Sequence, residues 1–108
     1  MIRIGNIKAG DTGEYCGRPS RSRHGSPLAN PFYAASEADR DKVCDQYEEW
    51  LADQIARGAK AVMDELARLE SIARSGDLTL LCWCSSELVQ RRCHCESIKR
   101  RLEERLKI

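Results

Sequence analysis

The chain lacks an excess of charge of either sign. Eighteen Lys and Arg face 17 Asp and Glu in 108 residues, a formal net charge of +1. A protein that coats nucleic acid needs many uncompensated cations along the phosphates, so no general nucleic-acid binding is expected. A long apolar run is missing too. The longest, Leu80 to Cys84, falls far short of a bilayer span, so no membrane partner is expected. The opening Met1-Ile2-Arg3-Ile4-Gly5 has no secretory apolar core, which points to a cytoplasmic location and reduced thiols. No internal repeat is visible. The length suits a single domain over residues 1–108. What is present is 42% apolar residues, enough for a core, and six cysteines. Six cysteines permit a disulfide scaffold, a metal site or buried thiols, and a reducing compartment disfavours the first.

The first 35 residues read as strands and loops. Ile2 and Ile4 alternate with Arg3, as in a half-buried strand. Gly10, Asp11 and Gly13 break the chain, and Glu14 to Arg18 suits a second strand with Tyr15 and Cys16. Pro19 to Phe32 has no period, and a loop of that length in a small domain is usually functional or disordered. Helical spacing then takes over. Ser36 with Glu37 and Asp39 reads as an N-cap and acidic first turn. Val43, Tyr47, Trp50, Leu51 and Ile55 predict a helix from about Glu37 to Arg57. Gly58 is a break. Ala59, Val62, Met63, Leu66, Leu69 and Ala73 predict a second helix ended by Gly76, or a continuation of the first after a bend. Leu78 to Cys84 is the strongest strand, apolar on both faces, as for a strand covered from both sides. A charged helix closes the chain, with Cys95, Ile98, Leu102 and Leu106 as its buried stripe. Lys99, Arg100 and Arg101, balanced by Glu103 and Glu104, read as its solvated face. Tyr47, Trp50 and Trp83 read first as core.

This order predicts a small Rossmann-like α/β sandwich, a short mixed sheet with about three helices. In such sheets ligands sit beyond the carboxyl ends of the strands, near helix N-termini. That edge holds Cys84 to Cys95.

Three segments carry a resemblance. They are Tyr15-Cys16-Gly17-Arg18-Pro19-Ser20, Ser26-Pro27-Leu28-Ala29-Asn30-Pro31-Phe32, and Leu81-Cys82-Trp83-Cys84 followed by Cys93-His94. Together with the Tyr47 and Trp50 pair, they resemble the domain-of-unknown-function family 4326 of bacteria and phages. The family pattern has Gly where Ala29 stands, fewer residues between Arg18 and Asn30, and a shorter, proline-bearing turn between Cys84 and Cys93. The resemblance implies a compact Rossmann-like fold and no activity. The phage occurrence implies one specific role, an anti-defence sponge acting in the host cytoplasm.

Two chemistries compete at the β-to-α turn. Zinc needs four nitrogen or sulfur donors, and Cys82, Cys84, Cys93 and Cys95 supply a set. Against it, Cys-x-Cys is a tighter bite than that of common zinc knuckles, and a strand cysteine often packs as a small hydrophobe. No cofactor is therefore assigned, with zinc kept as the alternative. In the other chemistry, a helix starting near Cys93 directs its free N–H groups at a phosphate. His94 with Arg91 or Arg92 adds donors, and Arg18 and Arg21 close the site from the first loop. Asn30 reads a base or ribose edge, or merely holds the turn before Pro31. The candidate ligand-binding residues are Arg18, Ser20, Arg21, Asn30, Phe32, Cys84, Arg92, Cys93 and His94. Cys93 beside His94 also suits a nucleophile with its base. No complete catalytic signature accompanies them, such as His-x-Glu with Pro-Cys-x-x-Cys, so binding is preferred to catalysis.

The expected function is therefore binding of a small phosphorylated molecule, most specifically a nucleotide or nucleotide-derived signal. A pocket built across a symmetric interface would make the protein a homo-oligomer. The alternatives are a Cys/His-dependent nucleotide-processing enzyme and a zinc-stabilised interaction module.

Overall fold

Leu78–Cys82 (β3) is the strand on which the other elements are assembled. In the computed structural model, which describes residues 1–19, 23–32, 36–82 and 93–107, it lies between Ile2–Asn6 (β1) and Glu14–Tyr15 (β2). Four of the five residues of β3 are apolar, and Leu78, Leu80 and Leu81 are buried, whereas Thr79, on the same face as Leu81, meets the exposed Arg3 side chain. Both partners run parallel to it, with Ile2 beside Leu78, Ile4 beside Leu80 and Glu14 beside Leu80. The expected α/β layering is present, but these three strands form a parallel sheet rather than a mixed one. The second strand is also shorter than its sequence suggested, ending at Tyr15.

Among the described residues three α-helices follow: Arg40–Ala56 (α1), Lys60–Ser75 (α2) and His94–Leu106 (α3). Each arises from apolar residues repeating every three or four positions. Val43, Tyr47 and Leu51 are buried on α1, and Val62, Leu66 and Leu69 on α2. These are two helices, not one bent helix. Gly58 separates them at φ +65, a left-handed conformation that costs other residues about 1–2 kcal/mol. Ser36 does not cap α1. Its carbonyl accepts from Asp39 N at 3.1 Å in a tight 3-10 turn over Glu37–Asp39, which leads into the helix.

Tyr47, Leu51, Leu66, Leu69, Ile98 and Leu102 form one core cluster with Ile2, Leu78 and Leu80. The helices therefore lie on the sheet face that carries Ile2, Leu78 and Leu80. The basic run of α3 is only partly a solvated face. Arg100 and Arg101 both reach Glu48 of α1, at 3.3 and 3.6 Å, and Arg105 reaches Glu70 of α2 at 2.9 Å. No helix among the described residues is long and apolar enough to cross a membrane.

Candidate functional site

Because the strands are parallel, Asn6, Tyr15 and Cys82 end at one edge of the sheet. Two things meet there. The chain leaves β2 through Cys16 into the long loop, and α3 begins at His94. Cys16 joins them. Its N–H donates to Leu81 O at 3.2 Å, continuing the β2 pairing, and its carbonyl accepts from His94 Nε2 at 2.6 Å.

The described part of the loop has no regular structure, yet polar side chains tie it down. Arg18 donates from Nε to Asn30 O at 2.9 Å and from Nη2 to Phe32 O at 2.6 Å. Asn30 Oδ1 accepts from Phe32 N at 2.9 Å, closing a turn around Pro31. Tyr47 of α1 donates its hydroxyl to Leu28 O at 2.7 Å, and the Leu28 side chain is fully buried. Tyr15 donates to Arg18 O at 2.8 Å, and Ser26 N to Gly17 O at 2.9 Å. A Cβ on Gly17 would stand 2.5 Å from the Tyr15 hydroxyl, so glycine is required for that ring to fold over the loop. Arg23 lies 5.4 Å above the centre of the same ring, a cation–π contact.

The second half of the site is the start of α3. Cys93 is extended, at φ −141 and ψ 150, and occupies the N-cap position without a side-chain cap. His94 and Cys95 are the first helical residues. This change of backbone conformation brings together side chains that would diverge within a regular helix. Cys93 Sγ lies 3.7 Å from His94 Nδ1. The His94 ring meets Tyr47 edge-on at 5.1 Å between centroids. Cys93, His94 and Cys95 are 3%, 9% and 0% exposed, so this group belongs to the interior. A carbonyl can only accept, so Nε2 carries the hydrogen given to Cys16 and Nδ1 faces the thiol.

Electrostatics follow from burial. Burial alone would lower the His94 pKa, but the Cys93 thiol and the Cys16 carbonyl act the other way and carry it above its ordinary value. The Tyr47 hydroxyl is pushed far above its usual range by burial first, then by Cys95, Cys16 and Cys93 around it. It stays a neutral donor to Leu28.

Of the residues singled out from the sequence, Arg18, Asn30 and Phe32 meet in one clamp. Cys93 and His94 meet in one pair, which Cys16 links to the same loop. Ser20, Arg21, Trp83, Cys84, Arg91 and Arg92 lie outside the described residues, as does the side chain of Cys82. Two participants were not anticipated. Cys16 acts through its carbonyl, for which a sequence has no marker. Tyr47 was read as core, which it is, but its hydroxyl partner lies 19 residues earlier. Cys16, Cys44, Cys93 and Cys95 are buried cysteines with no disulfide bond among the described residues. The sulfur and nitrogen donors of Cys93, His94 and Cys95 lie within 4.8 Å of one another, a group able to hold a metal ion.

Among known proteins, the sequence model of the family described as Domain of unknown function (DUF4326) matches residues 3–104. No curated protein and no solved structure gives a significant match.

Proposed function

Because the chain belongs to DUF4326, a family defined without a function, its chemistry has to come from its own residues, and we propose that it binds a small phosphorylated molecule at the carboxyl edge of the sheet. A nucleotide or nucleotide-derived signal is the most specific form. One observation carries this reading. The start of α3, where the N-cap Cys93 makes no side-chain cap bond, stands beside a loop that side-chain bonds hold in one shape. A helix N-terminus carries partial positive charge that favours an anion. A wall already ordered reduces the entropy lost when a ligand binds.

The individual roles differ from a simple ring of phosphate donors. Arg18 uses Nε and Nη2 to hold the loop. His94 holds the loop to the helix. Both are positioning residues. Asn30 uses Oδ1 in its own turn, so its amide hydrogens are the part suited to a base or ribose. A homo-oligomer that sequesters a signal, such as a phage anti-defence sponge, is the narrow form of the proposal.

A thermal-shift and calorimetric screen against mono-, di- and cyclic nucleotides and inorganic phosphate tests it. A ligand at 100 times its Kd should add about 2.7 kcal/mol of stability. Absence of any shift across the set would sink the reading.

A second reading has its own support. Cys93 Sγ, His94 Nδ1 and the Cys16 carbonyl follow the order nucleophile, base and orienting group. The 3% exposure of Cys93 weighs for binding over catalysis. Heat release of the bound ligand, followed by chromatography, decides between them. Intact ligand means sequestration, and product means an enzyme.

A further inference from the structure

We propose that Cys93, His94 and Cys95 form a site for a thiophilic divalent metal, with zinc as the expected ion. The proposal needs no phosphorylated ligand and stands independently of the binding reading.

The geometry fits the ion. A tetrahedral zinc bonded to a thiolate at about 2.3 Å and an imidazole nitrogen at about 2.0 Å holds the two donors about 3.5 Å apart. Cys93 Sγ and His94 Nδ1 are 3.7 Å apart. All three donor atoms fall within 4.8 Å of one another, so the Cys95 sulfur shares the same small volume. The conformation behind this is specific. The backbone passes from extended at Cys93 to helical at His94, which brings donor atoms of three consecutive residues within 4.8 Å of one another.

The second observation concerns the other side of the imidazole. Ligating histidines characteristically donate their remaining ring N–H to a carbonyl or carboxylate, which fixes the tautomer and the ring plane. His94 does so, through Nε2 to Cys16 O at 2.6 Å. In the neutral ring that a metal would require, this tautomer leaves Nδ1 unprotonated and directed at the Cys93 sulfur. Tyr47 meets the ring edge-on and adds a second constraint on its position.

Charge is compatible with the same ion. Cysteines bound to a metal are thiolates, and buried thiolates need a cation beside them. The N-terminus of α3 supplies part of that compensation, and a bound divalent ion supplies the rest. The sequence alone nominated four cysteines for zinc. In the structure a histidine joins two of them, Cys93 and Cys95, and the fourth corner of the tetrahedron is left to be read by spectroscopy.

The test uses the full chain, expressed with added zinc and purified without chelators or a metal-affinity tag. One zinc per chain is expected by elemental analysis. Titration of metal-free protein with cobalt(II) should develop tetrahedral ligand-field bands and a thiolate-to-cobalt charge-transfer band. Cys93→Ser, Cys95→Ser and His94→Gln should each weaken zinc by more than the roughly 10- to 100-fold that losing an outer-shell partner costs. Cys44→Ser, in a buried residue outside the group, should leave affinity unchanged. Folded wild-type protein that takes up no zinc and shows no cobalt bands overturns the proposal, with no variant needed. So does metal bound with undiminished affinity in both cysteine variants.

Discussion

The helix-covered face of the sheet and its carboxyl edge are held by different forces. On the face, Leu51, Leu66, Leu69, Leu78, Leu80, Ile98 and Leu102 exclude water together. That attraction is non-directional and shared over many neighbours. At the edge, where Cys16, Leu28, Cys93 and Cys95 belong to the same buried cluster, directed bonds add a second kind of hold. Arg18, Tyr47 and His94 each fix particular backbone carbonyls, at Asn30 and Phe32, at Leu28 and at Cys16. Such bonds contribute modest net stability, but leaving a buried carbonyl without its donor is costly. The face therefore supplies stability, and the edge supplies one defined shape. A binding surface needs the second property more than the first.

Four substitutions probe that contrast, and the largest effect belongs to the face. Leu66→Ala, at a fully buried position, should cost about 2–5 kcal/mol in urea unfolding. A loss below about 1 kcal/mol, within the range of a surface change, would mean that this layer is not the source of stability. Next comes His94→Ala, measured with chelator present so that no metal contributes. It orphans the Cys16 carbonyl and should cost about 1–3 kcal/mol. Tyr47→Phe removes only the hydroxyl given to Leu28 and should cost about 1 kcal/mol. Its sharper readout is hydrogen exchange, which should rise in residues 23–32 and not in α2. Uniform acceleration over the whole chain would erase the distinction between the two regions. The smallest effect is expected at the surface. Arg68→Ala removes pairs with Glu14 and Glu65 from a half-exposed side chain and should cost at most about 1 kcal/mol. In 1 M salt that difference should shrink, since screening then acts over about 3 Å.

Much of the face was legible beforehand. Tyr47 and Leu51, and Val62, Leu66 and Leu69, announce α1 and α2 by spacing alone. The apolar segment from Leu78 to Cys84, broken only by Thr79, announces a central strand. The ends were less legible. Ser36 has the chemistry of an N-cap, but the chain makes a 3-10 turn there before α1 starts. Strand direction was not legible either, because a run of leucines pairs equally well both ways. At the edge, Arg18, Asn30 and His94 were identifiable as residues with something to donate. Their partners were not.

Periodicity and composition by themselves determined the helical stretches around Tyr47, Leu66 and Ile98, though not whether the first two were separate helices, together with a buried strand from Leu78 and an aperiodic segment between Pro19 and Phe32. The tertiary structure alone decided that the described strands are parallel. It decided that Cys16 offers its carbonyl to His94, and that donor atoms of Cys93, His94 and Cys95 lie within 4.8 Å of one another. The reason is physical. Side-chain hydrophobicity varies along a chain and leaves a pattern, whereas nearly every residue carries the same N–H and C=O. Which of those groups a side chain meets depends on where the chain returns in space.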